Sequence, residues 1–160
     1  MKRAMFAATA ALLLLTSAAW AQGTPNFSGT WKLDVAKSDF GPAPPPESIV
    51  MVIDHKEPNI KAATTQKSQM GDTSNETIVT TDGKENVNKL RAMGAEQDVK
   101  STTRWNGNKL LTARTIEVQG MAINMSDTWE LSDDGKVLTI GRELKTPQGD
   151  FATKTVLNKQ

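Results

Sequence analysis

Five dipeptides ending in glycine punctuate the second half of the chain: Asp82-Gly83, Asn106-Gly107, Gln119-Gly120, Asp134-Gly135 and Gln148-Gly149, spaced 13 to 24 residues apart. Asn-Gly and Asp-Gly supply the positive φ angles that a two-residue β-hairpin turn requires. The segments between them alternate in polarity and are rich in Thr, Val, Ile and Leu, and no stretch holds a helical period. This pattern predicts about ten strands, at 28–35, 47–56, 59–67, 73–81, 84–90, 96–105, 108–118, 121–131, 136–146 and 151–158. Successive hairpins make an antiparallel meander. One this long closes most readily into an up-and-down β-barrel, because closure removes the exposed strand edges. The expected fold class is therefore all-β.

One stretch breaks the rhythm. Gly41-Pro42-Ala43-Pro44-Pro45-Pro46 cannot join a ladder, since proline has no N–H to donate, and is expected to run as a stiff, extended connection at the barrel mouth. Lys37-Ser38-Asp39-Phe40 just before it is expected to form one helical turn. No linker divides the chain, so residues 22–160 read as a single domain.

The first 21 residues read as an address. Lys2 and Arg3 precede an apolar run from Ala4 to Leu15, and Ala19-Trp20-Ala21 places small residues where a signal peptidase cuts. The apolar run is too short for a stable membrane span. The expectation is a signal peptide over 1–21, a secreted or periplasmic product beginning at Gln22, and no membrane anchor after cleavage. Loss of the two basic leader residues takes the 19 basic residues to 17, against 18 acidic ones. A near-neutral chain with no basic stripe lacks the electrostatic footprint of a nucleic-acid binder. There is no cysteine, which excludes disulfides, thiolate metal sites and a cysteine nucleophile. The single histidine, His55, rules out a multi-histidine metal site, and its flanking Asp54 and Lys56 suggest a surface position. With no nucleophile elbow, phosphate loop or metal cluster, the expected activity is binding without catalysis and without a cofactor.

Hairpin arithmetic assigns the inner face. A turn at Asp134-Gly135 sets Leu131 opposite Leu138, Trp129 opposite Ile140 and Asp127 opposite Arg142. A turn at Gln119-Gly120 sets Val118 opposite Met121, Ile116 opposite Ile123 and Arg114 opposite Met125. The Asn-Gly hairpin puts Trp105 and Thr103 on the face of Leu110 and Arg114. A turn at Gln148-Gly149 sets Leu144 against Thr153 and Arg142 against Thr155. All four hairpins agree on one apolar face with a polar minority, as correct register demands. Within it Arg114, Asp127 and Arg142 fall together. Two arginines against one carboxylate leave excess positive charge in a low-dielectric interior, which needs compensation. It is either an arginine fork for an anionic head group or a structural ion pair. The methionines Met51, Met70, Met93, Met121 and Met125 suit an adaptable cavity and fill solid cores equally well.

Asn26-Phe27-Ser28-Gly29-Thr30-Trp31-Lys32-Leu33 resembles the Gly-x-Trp opening of the first lipocalin strand, and its continuation to Asp39-Phe40 resembles the start of fatty-acid-binding proteins. The specific likeness covers about ten residues, and the shared hairpin rhythm extends it over residues 22–160. The resemblance implies a calycin-type barrel with Trp31, preceded by Gly29, plugging the closed base and a late-strand arginine, here Arg142, lying across the indole. Two departures stand out: the chain has no tyrosine, so the Arg-x-Tyr carboxylate clamp of the fatty-acid-binding proteins is missing, and the proline stretch stands where their helical lid would be. The combined expectation is a small hydrophobic or amphiphilic, lipid-like ligand, anionic ones included, bound by Arg114, Met121, Ile123, Met125, Asp127, Arg142, Trp105 and Trp129. The competing expectation is a solid-cored barrel whose loops bind another exported protein.

Overall fold

The computed structural model describes residues 23–160 except Met70, Met93, Gly94, Gln119, Pro147 and Gln148. The leader expected over 1–21 lies outside the described residues. Ten strands form one antiparallel sheet: β1 (Gly29–Leu33), β2 (Ser48–Lys56), β3 (Asn59–Lys67), β4 (Thr73–Thr80), β5 (Asp82–Ala92), β6 (Ala95–Asn106), β7 (Lys109–Val118), β8 (Met121–Leu131), β9 (Val137–Thr146) and β10 (Gly149–Lys159). The strand order is β4-β3-β2-β1-β10-β9-β8-β7-β6-β5, so pairing of the first strand with the last curls the sheet into a nearly closed barrel. The helical turn falls slightly earlier than expected, as a 3-10 turn at Val35–Lys37.

Ring closure departs from a simple meander at one place. β4 and β5 follow one another in sequence, yet they share no backbone ladder. Two asparagine side chains bridge the gap instead. Asn88 accepts from the Ile78 N–H at 2.7 Å and donates to the Ile78 carbonyl at 3.0 Å; Asn75 accepts from the Arg91 N–H at 2.8 Å and donates to the Arg91 carbonyl at 3.5 Å. Each side-chain amide thus imitates a neighbouring strand's peptide. A register shift between Asp82 and Glu85 accompanies the split, as a bulge does when it bends a strand away from its neighbour.

The registers Leu131↔Leu138, Trp129↔Ile140, Asp127↔Arg142, Ile116↔Ile123 and Arg114↔Met125 are those expected. The last hairpin differs. Thr146 pairs with Gly149, Leu144 with Phe151 and Arg142 with Thr153, a shift of two residues from the expected pairing. Gly149 thus joins the ladder, whereas the sequence pattern places it in the turn. Since side chains alternate with a period of two, the shift leaves every inner residue on the inner face.

The closed end is an aromatic floor. Phe27, fully buried ahead of β1, stacks on His55 and on Trp105 with centroids 5.8 Å away in each case, and meets the Trp129 edge at 5.5 Å. Trp31 is also fully buried and donates from Nε1 to the Phe27 carbonyl at 2.9 Å. The cation over the Trp31 ring is Lys159, with Nζ 5.3 Å from the centroid, rather than Arg142. Arg142 is taken by Asp127, its direct cross-strand neighbour, whereas Lys159 sits on β10 opposite Trp31 itself. Gly29 carries φ +140, and a Cβ there would stand 2.7 Å from Lys159 Cε, so glycine is what lets that lysine close over the base.

His55 belongs to the floor and not to the surface, being 3% exposed. It continues the inner face of β2 after Ile49, Met51 and Ile53. Its Nδ1 accepts the Phe27 N–H at 3.2 Å, so Nε2 carries the proton and donates to Glu57 Oε1 at 2.9 Å. Glu57 also accepts from Trp105 Nε1 at 2.8 Å and from the Thr81 hydroxyl. Burial pushes its carboxyl up, but the bonds from Thr81, His55 and Trp105 outweigh it and hold the group below its ordinary value.

Candidate functional site

Above this floor the barrel is hollow. A cavity of about 510 Å³ occupies its upper half, bounded by Ile49, Met51, Met125, Trp129, Ile140 and Leu144 among others. That volume is within the range of small-molecule sites and well beyond a packing defect, so the interior is not a solid core. The proline stretch crosses the mouth as a strap. One end is fixed by Asp39, whose N–H and carbonyl each bond Lys154 at 2.7 Å; the other is fixed by the Glu47 N–H on the Lys67 carbonyl at 2.9 Å. Phe40 and Pro44, Pro45 and Pro46 line the cavity from this strap. A smaller hollow of about 40 Å³ continues inward past Arg114 and Asp127 toward Ser101 and Thr112.

The charged cluster expected from the hairpins forms the lower wall of the large cavity. Arg142 donates from Nε to Asp127 Oδ1 at 2.6 Å and from a terminal nitrogen to Oδ2 at 3.1 Å. Arg114 donates to Oδ2 at 2.5 Å from the other side, and its Nε rests on Met125 Sδ at 3.3 Å. The Asp127 side chain is 6% exposed, that of Arg114 16% and that of Arg142 38%. Arg142 is enclosed by protein yet accessible because its guanidinium faces the lumen. Burial raises the Asp127 carboxyl, but the charge and hydrogen bonds of Arg142 and the charge of Arg114 more than offset it, so the group lies below its ordinary value. For Arg114, burial dominates; the attraction of Asp127 is opposed by Arg142, and its pKa falls. Arg142 has the closer, two-bond hold on Asp127, which overcomes burial and raises its pKa. The cluster carries a net charge of +1 at neutral pH, with the excess directed into the cavity.

Of the residues singled out from sequence, Arg114, Met125, Asp127, Arg142 and Trp129 line the cavity together. Trp105 does not: it is a floor residue tied to Glu57. Ile123 is half-buried and Met121 is 37% exposed near the end of the β7–β8 hairpin, both outside the lining. Trp31 and Gly29 sit at the base. Hairpin pairing did not reach the opposite wall, where Thr64, Gln66, Thr73 and Asn75 face inward from β3 and β4. The alternation Ile60-x-Ala62-x-Thr64-x-Gln66 carries that information. Phe27 had no comparable signal, since it precedes the first strand.

No family model matches the sequence, and no curated protein matches it. Solved structures do resemble the fold. The fluorescent protein UnaG superposes with a TM-score of 0.57 at 18% identity, covering 84% of this chain and 97% of that one. The zebrafish ileal bile acid-binding protein complexed with cholic acid gives 0.52 at 20% identity, covering 84% and 98%. The Schistosoma mansoni fatty acid binding protein in complex with arachidonic acid gives 0.51 at 14% identity, covering 84% and 96%. At these identities the likeness is one of architecture alone: the chain shares with these proteins a ten-stranded, nearly closed antiparallel barrel.

Proposed function

We propose that the protein is exported and holds a small amphiphilic acid inside its barrel, performing no chemistry on it. The observation that carries this reading is the position of a net-positive cluster, with one guanidinium open to the lumen, in the wall of a cavity of about 510 Å³. An apolar body placed against Ile116, Met125, Ile140 and Leu144 would gain roughly 25 cal/mol per Å² of buried area, less the costs of association. A carboxylate at Arg142, with Arg114 behind it, would offset the charge that Asp127 leaves uncompensated. Cholic and arachidonic acids, the ligands of the two structural neighbours described with one, are both carboxylic acids. Export is supported by the leader pattern of Lys2, Arg3, the apolar run to Leu15 and Ala19-Trp20-Ala21. A role confined to loops on a solid barrel is disfavoured by the cavity.

Native mass spectrometry of the protein purified from a host that exports it, followed by solvent extraction, tests the reading directly. A co-purifying acid and an N-terminus at Gln22 are the expected results. Arg142→Met should weaken oleate binding by roughly ten- to a hundredfold, the worth of a charge-assisted hydrogen bond, and leave oleyl alcohol nearly unaffected. Equal losses for acid and alcohol would overturn the head-group assignment, and failure of both to bind the parent protein would overturn the carrier role.

A further inference from the structure

Two facing walls of the upper cavity differ in chemistry. On one side, β3 and β4 present cross-strand pairs of polar side chains, Thr64 with Asn75 and Gln66 with Thr73. On the other, β8 and β9 present Met125 paired with Leu144. In the strand order β9 lies five places from β4, and β8 five places from β3. In a ring of ten strands these walls therefore face each other across the lumen. Asn75 is committed to bridging the strand gap, and its amide bonds Arg91. Thr64, Gln66 and Thr73 are not committed: among the described residues none of their side chains has a hydrogen-bond partner, and all three are half-buried in the cavity wall.

A flexible alkyl chain lying there would desolvate one amide and two hydroxyls without replacing their hydrogen bonds, and leaving such groups unpaired is costly. A ligand whose own hydroxyl groups lie along one side satisfies them, while its bare side rests on Met125 and Leu144. We infer that the cavity selects a rigid, flat acid that is hydroxylated along one face and apolar along the other, with its carboxylate at Arg142 and its hydroxyls against Thr64, Gln66 and Thr73. This inference rests on the proposed carrier function and narrows it to a ligand class. Thr153, beside Arg142 on β10, widens the polar zone at the head-group end.

The test compares acids that share one nucleus. Cholate carries three hydroxyls on one face of a steroid acid; lithocholate has the same nucleus and side-chain carboxylate with one hydroxyl. Calorimetric titration of the parent protein should show cholate bound about tenfold more tightly, since each satisfied hydrogen bond is worth roughly fivefold, although lithocholate is the more hydrophobic. In the Thr64→Val/Gln66→Leu/Thr73→Val variant the order should reverse. Thr64→Val alone, a near-isosteric change in a strand, should narrow the ratio severalfold and carries the test should the triple variant not fold. Lithocholate binding as tightly as cholate, or a ratio unmoved by the substitutions, would overturn the inference alone. Failure of cholate, lithocholate and oleate to bind at all would overturn the carrier function with it.

Discussion

Replacement of Asp127 by asparagine should destabilise the barrel and at the same time tighten its hold on acids. The Asp127 carboxylate accepts three charged hydrogen bonds, at 2.5, 2.6 and 3.1 Å, and its side chain is 6% exposed. Asparagine keeps the shape but offers one acceptor and turns an NH₂ toward a guanidinium. Breaking a buried ion pair by removing one partner costs about 3–5 kcal/mol, because the surviving charge is left uncompensated. Arg142 can draw on solvent in the lumen, being 38% exposed, so the lower end, about 3 kcal/mol, applies. Urea unfolding followed by tryptophan fluorescence measures it, and Arg114→Met added to Asp127→Asn should restore part of the loss by removing the surplus charge. The pH dependence gives a second reading. Asp127 is held below its ordinary value in the folded state. Its stabilisation is therefore complete above the unfolded carboxyl value of about 3.9 and drains away as pH falls toward the lower folded value. The gap between parent and variant should be flat from about pH 5 to 8 and shrink below about pH 4. Oleate should bind the variant more tightly, since the lumen now holds two unbalanced positive charges. A loss under about 1 kcal/mol, or weaker oleate binding, would refute the account of the cluster as a net-positive, lumen-facing site.

Three further outcomes follow from the floor and the strand gap. Trp31→Ala removes a fully buried indole that anchors the Phe27 carbonyl, and calorimetric melting should register a loss of about 3–5 kcal/mol. His55→Leu leaves the buried Phe27 N–H without its acceptor and should cost about 1–3 kcal/mol in chemical denaturation, with ligand affinity unchanged because His55 lies outside the cavity lining. Asn88→Leu keeps the bulk but deletes both bonds to Ile78; hydrogen exchange should quicken at Ile78 and its β4 neighbours while the β7–β10 amides keep their protection.

The fold was legible in the turns. Glycine after Asn, Asp or Gln marks where the chain reverses, and polar–apolar alternation then sets the face, so the inner surface of β6 to β10 follows from counting alone. The union of Arg114, Asp127 and Arg142 is a consequence of that counting: Arg114 opposes Met125, Asp127 opposes Arg142, and the intervening strand brings the two pairs together. Three things escaped for physical reasons. The last register slipped because Gln148-Gly149 looks like a turn, whereas Gly149 itself pairs with Thr146, and only the face survived the slip. The break between β4 and β5 escaped because Asp82-Gly83 has the same turn chemistry as the closed hairpins; the difference lies in two asparagines that imitate peptides across the gap. His55 escaped because its charged neighbours Asp54 and Lys56 point outward, as alternation requires, and say nothing about the side chain between them.

The distribution of bonds along the barrel axis separates stability from binding. Below the cluster, nearly every polar group is matched: the Phe27 N–H with His55, His55 and Trp105 with Glu57, Trp31 with the Phe27 carbonyl, Thr103 with Thr112. Above it, Thr64, Gln66 and Thr73 have no side-chain partner among the described residues, and Arg142 has guanidinium surface to spare. No buried side-chain polar atom among the described residues lacks a partner, so these half-buried groups are accessible from the lumen and their unpaired state costs the fold little. Substitutions below the Arg114–Asp127–Arg142 level should therefore move melting temperature at constant affinity, and those above it should move affinity at constant melting temperature. Asp127, at the boundary, should move both.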